Sequence, residues 1–405
     1  MSTSAPATEH HKILIVGGGT AGITVAARLA RAGMHDIAVV EPSDRHYYQP
    51  LFTLVGGGRA PQAKTVRPEA DVMPKGVRWV RETATGADPQ AQTVTTDSGR
   101  TLHYDYLVMA PGIQLDFDKV AGLTDALGRG GVSSNYRFDL TPRTWEFIRG
   151  LRGGTALFTM PAGPIKCAGA PQKIAYLAAD WWRRQGVLDK TRIILVLPTA
   201  AMFSQPDWAK VLEGVAASYG IEVRKESQLV EVDGDSRRAV ILDTKADTKE
   251  EITYDLLHAV PPQSAPDWVK ASPLADPATP FGYVRVDKHT LQSPDWPNVF
   301  AIGDASNLPT SKTGAAARKQ APVLVKNLLA AMNGQELPGR YNGYTSCPLV
   351  TSRNRMLLAE FDYDLKPTPS FPLINTMKPR YDMWLLKRYG LPALYWHLML
   401  PGRLS

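Results

Sequence analysis

A chain of 405 residues and 44.3 kDa has the length of two to three ordinary domains and ample interior for a core. With 44% hydrophobic and 21% charged residues it is globular rather than disordered, and no apolar run approaches the about 20 residues that span a bilayer. The balance of 46 Lys and Arg to 39 Asp and Glu gives +7, but there is no basic block, zinc-finger spacing or nucleic-acid motif, so solvent or a membrane surface, not nucleic acid, is the expected neighbour of the basic face.

The opening MSTSAPATEHHKILIVGGG lacks a basic n-region, an apolar h-region and a twin-arginine pair, so no export signal is expected. Residues 12–16, KILIV, read as a buried strand running into Gly17, Gly18, Gly19, Thr20, Ala21 and Gly22. ITVAARLARAG then has helical spacing with Gly33 as its stop, and Ile37 to Val40 form a second strand ending at Glu41. Strand, glycine turn, helix, strand and acid make the opening of a dinucleotide-binding fold. Gly17 permits the tight turn, Gly19 lets the backbone approach a pyrophosphate, and Gly22 lets helix and strand pack closely. Glu41, nineteen residues past Gly22, is spaced to accept ribose hydroxyls. Residues 104–109 read as a strand followed by Ala110, Pro111 and Gly112, and residues 298–302 as another followed by Gly303 and Asp304.

Between these segments lies a second β–loop–α–β unit: a strand at 155–160, a loop at 161–171, a helix at 172–184 and a strand at 193–197. The loop reads MPAGPIKCAGAPQK, with prolines and Cys167 where a pyrophosphate would dock, and no ribose-binding acid follows at Leu197, Pro198 and Thr199. The second nucleotide site therefore reads as lost, with a thiol in its place. Two cysteines, Cys167 and Cys347, are too few for a disulfide scaffold or a Cys-rich zinc site. Count alone makes them buried, inert thiols; their surroundings point the other way.

The A-x-G and F-A-I-G-D segments resemble the middle and C-terminal signatures of the two-dinucleotide-binding-domain flavoproteins. With IKCAGAPQK around Cys167 and YTSCPLVTSRNRMLLAEFDY around Cys347, the sequence resembles the sulfide:quinone oxidoreductases, in the branch shared by bacteria and mitochondria. HYYQPLFTLVGGG (46–58) and SKTGAAARKQAP (311–322) fit the same family, and the likeness runs from residue 12 to about 372. It implies a tandem Rossmann-like α/β fold with a C-terminal membrane-interface region. The expected division is 10–114 and 281–335 for the FAD domain, 115–280 for the second domain and 336–405 for the C-terminal part. The implied cofactor site comprises Gly17, Gly19, Gly22, Glu41, Pro50, Ala110, Gly112, Gly303, Asp304 and Lys312, with Asp304 at the ribityl chain. The early third cysteine to which some relatives attach the flavin is missing, so FAD is expected to be non-covalent.

The resemblance implies oxidation of hydrogen sulfide coupled to reduction of a membrane quinone. A Cys167–Cys347 disulfide supplies an electrophile: HS⁻ attacks one sulfur, leaving a persulfide there and a thiolate on the other. By resemblance Cys347 is the flavin-side thiolate and Cys167 the persulfide carrier. Nearby cations lower a thiol pKa, and Lys173, one turn into the helix after Cys167, is the expected one; an ordinary solvated lysine is the competing reading. Lys312 resembles a lysine beside flavin and quinone, against a plain loop lysine. Lys319 and Gln320 are weaker candidates, and Glu360 is a candidate general base against a structural reading. The sulfane-sulfur acceptor (sulfide, sulfite, a thiol or cyanide) and the oligomeric state, a homo-oligomer included, stay open.

Residues 379–405 interleave Trp384, Leu385, Leu386, Leu391, Leu394, Tyr395, Trp396, Leu398, Met399 and Leu400 with Arg380, Lys387, Arg388 and Arg403, an interfacial-anchor pattern. Gly390 and Pro392 are expected to divide it into two short helices, and its removal to release the protein from membranes with FAD still bound. A hairpin closing the core or a dimer interface is the competing reading. The expected location is peripheral, on the cytoplasmic face of the inner membrane. The rival activities are a type II NADH:quinone oxidoreductase, the flavoprotein subunit of a flavocytochrome c sulfide dehydrogenase, and a flavin-containing redox sensor without turnover.

Overall fold

The apolar run after Glu9 forms a central strand because Ile13, Leu14, Ile15 and Val16 are buried on both faces, as a parallel interior strand demands. The computed structural model describes residues 9–167 and 169–404, so the opening MSTSAPAT read for a leader lies outside them. In chain order the first half supplies β1 (Glu9–Val16), α1 (Thr20–Arg31), β2 (Ile37–Val40), β3 (Arg78–Val80) and β4 (Thr101–Met109). β1 runs parallel to β2 on one side, Val16 opposite Val40, and to β4 on the other, Val16 opposite Met109. β3 extends this sheet beyond β2.

The second sheet takes β5 (Gly154–Thr159), β6 (Thr191–Val196), β7 (Glu222–Arg224) and β8 (Leu256–His258), with α2 (Ala170–Arg184) between β5 and β6. Its order is Val132–Ser133, β8, β5, β6, β7, all parallel. The chain then returns: β9 (Val299–Ala301) pairs with the end of β4, Ala301 opposite Met109, and α3 (Gly314–Met332) packs against α1. Two sheets built on parallel strands with crossover helices, the first with an antiparallel edge at Ala84–Asp88 and Thr93–Thr96, make the tandem Rossmann-like α/β arrangement expected from the sequence. β10 (Thr345–Ser352) and β11 (Arg355–Phe361) form an antiparallel hairpin, with Cys347 opposite Ala359.

The C-terminal segment departs from expectation. Tyr381–Leu385, Leu386–Gly390, Leu391–Leu394 and Tyr395–Met399 follow one another without a break, so Gly390 and Pro392 do not split the tail. Pro392 falls in the first turn of its α segment, and wider π turns on either side absorb its missing N–H. Nor do the tail's apolar residues all face outward. Met383, Trp384, Tyr395, Trp396, Met399 and Leu400 are buried in the same core as Ile174, Leu349 and Cys347. Lys387 is buried too, whereas Tyr381, Leu385, Tyr389 and Leu398 form the outer side. Among the described residues no helix is long and apolar enough to cross a membrane.

Candidate active site

The glycine turn after β1 is shaped as the sequence suggests. Gly17 has φ +100°, and a side chain there would meet the Ala110 carbonyl oxygen at 2.2 Å. A Cβ on Gly22 would strike the Gly17 oxygen, so α1 lies hard against the turn. At Gly19 a Cβ would meet nothing within 4 Å, which leaves the α1 N-terminus open to an anion, with no side chain capping it. Glu41 accepts from the Gly18 N–H at 2.8 Å and the Ser43 N–H at 2.8 Å, using one lone pair on each oxygen and leaving others for hydroxyls. Burial holds its pKa above the usual carboxylate value. On the opposite strand end the Gly303 N–H donates to buried Gln320 at 2.9 Å. These residues fit a dinucleotide such as FAD.

Residues 311–313, following that strand end, bring the two cysteines together. The Cys167 N–H donates to the Lys312 carbonyl at 3.0 Å. The Thr345 hydroxyl donates to the Ser311 carbonyl at 3.1 Å and lies 2.9 Å from the Thr313 hydroxyl, anchoring the strand that carries Cys347. Gly169 completes the fit, because a Cβ there would lie 2.2 Å from the Leu349 side chain. Cysteines 180 positions apart in sequence thus meet as two free thiols. Hydrogen bonding with the neighbouring Cys347 thiol, then Lys173, holds Cys167 well below the usual thiol range against the opposing effect of burial. The same contact, followed by burial, pushes Cys347 up. Cys347 is fully buried, whereas Cys167 keeps partial solvent access and sits at φ +54°, a left-handed conformation uncommon for a non-glycine residue.

Lys173 is 3% exposed and its Nζ lies 2.8 Å from the Cys167 sulfur. A nearly dry ammonium at that range stabilises a thiolate far more than a solvated one would. In the reduced protein, alkylation of Cys167 should therefore persist below the ordinary thiol pKa and fall as pH drops through its lowered value. In Lys173→Gln the inflection should move to higher pH, with alkylation at pH 7 slowed by about tenfold or more. Iodoacetamide labelling read by mass spectrometry checks this; an unmoved inflection removes Lys173 from the site.

Lys387 is the cation that sequence reading missed. From the helical tail it reaches inward, donates to the Pro50 carbonyl at 2.7 Å, and is close enough to feel both cysteines and Lys173. Burial, then Lys173, pull its pKa down to about 7. The signal lay in its spacing: Met383, Trp384 and Lys387 share one helical face, and the first two are core residues. Pro50 itself is exposed and contributes its carbonyl here. Lys312 turns another way. Its Nζ donates to the Asp304 and Ser306 carbonyls at 2.7 and 2.8 Å and lies 3.6 Å from the centre of the Tyr283 ring. Burial lowers its pKa to about 8, while Asp304 is raised by burial against the pull of Lys312 and Lys166. Glu360 accepts from Tyr344, from the Ser370 hydroxyl at 2.6 Å and from the Ser370 N–H at 2.9 Å, a structural knot.

A second buried connection joins the tail to the glycine turn. The Tyr395 hydroxyl is 2.7 Å from the Thr20 hydroxyl and 2.6 Å from His46 Nε2, and His46 Nδ1–H donates to Glu69 at 3.1 Å. The second Glu69 oxygen is buried without a protein partner and faces Gly18. At the far end a Cβ on Gly402 would press on the α1 backbone near Arg28. The tail therefore packs against the glycine turn and α1, so its removal is expected to disturb FAD binding as well as any membrane contact.

Residues 11–141 match the family model described as pyridine nucleotide-disulphide oxidoreductase. The chain is 43% identical over 399 residues to the mitochondrial sulfide:quinone oxidoreductase of Mus musculus, covering 98% of this chain and 88% of that protein. It is 45% identical over 395 residues to the mitochondrial sulfide:quinone oxidoreductase of Dictyostelium discoideum, covering 97% and 86%. The crystal structure of the sulfide:quinone oxidoreductase from Aquifex aeolicus shares its fold, with a TM-score of 0.80 at 18% identity over 98% of this chain and 93% of that one. An FAD-type cradle, a cysteine pair lodged where a second nucleotide loop would lie, and near full-length identity converge: the chain belongs to the sulfide:quinone oxidoreductase family.

Proposed function

We propose that the protein oxidises hydrogen sulfide and passes the electrons through FAD to a membrane quinone. The observation that carries this reading is the cluster of Cys167, in the loop that would otherwise hold a nicotinamide nucleotide, with Cys347 of β10 beside it and Lys173 Nζ of α2 at 2.8 Å from its sulfur. In the oxidised state the two sulfurs form a disulfide; the described thiols are the reduced state. HS⁻ attacks the Cys167 sulfur, since Cys347 has no solvent access, and forms a persulfide on Cys167 while Cys347 departs as thiolate. Buried Lys173, and Lys387 in its protonated form, draw the anion in and stabilise thiolate charge. Bound FAD supplies a two-electron acceptor between the cysteine pair and quinone. The sulfane sulfur leaves to sulfide, sulfite, a thiol or cyanide.

Residues 10–114 and 281–335 are assigned to the FAD domain, 115–280 to the second domain and 336–405 to the C-terminal part. Peripheral attachment to the cytoplasmic face of the inner membrane is assigned to the outer side of the tail, where Tyr381, Leu385 and Tyr389 recur every four residues on one helical face. Among them Tyr381 is 53% and Tyr389 59% exposed, and Leu373 in the preceding loop is 99% exposed.

Anaerobic titration separates this activity from its NADH-oxidising rival. Sulfide should bleach the flavin absorbance stoichiometrically and NADH should leave it unchanged; bleaching by NADH alone would assign the protein to the rival reaction.

A further inference from the structure

A surface cavity of about 430 Å³ lies away from the cysteines, lined by Val55, Gly58, Arg59, Gln62, Pro142 and Trp145. It borders the C-terminal part of α2, where Trp181 packs on Trp145 with ring centres 5.0 Å apart. From Lys173 to Trp181 that helix rises about 12 Å, so two turns of α2 separate the cavity's edge from the sulfur chemistry. Its floor is built rather than incidental. Gly58 has φ +64°, and a Cβ there would lie 2.4 Å from the Trp145 ring. Arg353 sits 5.0 Å from both the Trp145 and Trp181 rings and donates to the Gly57 and Gly58 carbonyls.

Arg59 is the charged residue of the cavity lining, and Arg353 lies beneath it. The Arg59 guanidinium lies 4.8 Å from the centre of the Trp384 ring, and its Nε is buried with no protein partner. Burial, then repulsion from Arg184 and Arg388, depress its pKa. Asp180 is the carboxylate in this group, and it is committed to Arg183, Arg184 and the Arg353 N–H. Glu146, next to Trp145 in sequence, is held by Arg143 at 2.8 Å. Among the described residues Arg59, Arg353 and Arg388 make no ion pair with a carboxylate.

The cavity's edge joins the outer side of the tail. Trp384 stacks on Tyr381 with ring centres 5.9 Å apart and meets Tyr389 edge-on at 6.3 Å, and both tyrosines are exposed. Aromatic residues of this kind settle at the headgroup level of a bilayer, and the planar fork of arginine matches phosphate oxygens. We propose that this cavity receives the phosphate of an anionic membrane lipid, with Arg59 of its lining and Arg388, one helical turn beyond the Trp384 on which Arg59 rests, as the recognising cations. The proposal rests on the peripheral attachment assigned above and specifies its chemistry.

The test uses the full-length, FAD-loaded protein and sedimentation with phosphatidylcholine vesicles, with and without one-fifth phosphatidylglycerol. Each cation beside an anionic surface contributes about fivefold to binding, so R59Q/R388Q should lose roughly twentyfold of the wild-type preference for phosphatidylglycerol. R59K/R388K should recover much of it, and binding to pure phosphatidylcholine should be equal in all three proteins. An equal phosphatidylglycerol preference in wild type and R59Q/R388Q overturns the headgroup site while leaving attachment intact. Wild type bound to neither vesicle overturns attachment and the site with it. A parallel thermal-shift titration with inorganic phosphate distinguishes the source: stabilisation that depends on Arg59 and Arg388 without any vesicle preference reassigns the cavity to soluble phosphate esters and overturns the lipid assignment.

Discussion

Cys167→Ser and Cys347→Ser should each lower the rate of sulfide-driven flavin reduction by about a thousandfold or more while FAD stays bound. The size of the effect follows from the chemistry: without a second sulfur there is no disulfide for HS⁻ to open, and a serine hydroxyl cannot replace it as electrophile or leaving group. Cofactor retention follows from geometry. Neither cysteine side chain touches the glycine turn, Glu41 or the Gly303 N–H, and the Cys167 loop is tied to residue 312 by its backbone N–H, which serine keeps. The two variants should also differ. Cys347→Ser alone keeps the Cys167 thiol, and because the serine hydroxyl can still donate to that sulfur and Lys173 is unchanged, its pKa should stay lowered. Stopped-flow absorbance with sulfide checks the rate, and mass spectrometry after alkylation checks the thiol. Near-normal turnover in either variant would refute the relay.

Truncation at residue 379 should cost the protein its FAD and its cooperative fold. Six large side chains, Met383, Trp384, Tyr395, Trp396, Met399 and Leu400, leave the core with the tail. At about 1.5–3 kcal/mol each, their burial contributes roughly 9–18 kcal/mol, comparable with the about 5–15 kcal/mol that holds a typical domain folded. Such a deletion therefore cannot report on membrane attachment alone. Tyr395→Phe is the finer probe. It keeps the ring packing against Tyr48 and Trp396 but removes the hydroxyl shared by Thr20 and His46. Leaving those buried groups unpaired costs about 1–3 kcal/mol, and because Thr20 opens α1 at the cofactor cradle, part of that cost should appear as an FAD affinity weakened by about tenfold. Isothermal titration of the apoprotein with FAD measures it. A folded, FAD-saturated truncation product would show that the tail is dispensable to the cradle.

Several features were legible in the amino-acid order because their physics is local. The turn from Gly17 to Gly22, the acid at Glu41 and the loss of a glycine loop around Cys167 are matters of backbone sterics and near neighbours, and each occupies the place its pattern suggested. So does Lys173, whose position one turn into α2 fixes its direction relative to Cys167. The buried side of the tail was not legible for the opposite reason. Aromatic residues beside cations describe an interfacial helix and a helix that closes a core equally well, and only the shape of the groove that receives it separates the two. The pattern of Trp384, Tyr395 and Trp396 holds no record of that groove, which is built from α2 and the β10–β11 hairpin.

By itself, then, the sequence determined the chemistry available to this protein: a dinucleotide cradle, two thiols and a cation next to one of them. Tertiary structure alone decided that Cys347 lies against Cys167, that Lys312 turns to backbone carbonyls, and that Lys387 and Tyr395 come inward from the far end of the chain. The reason is distance along the chain. A contact between residues 180 positions apart, or between Thr20 and Tyr395, depends on how whole elements pack, and no periodicity in either segment encodes its partner.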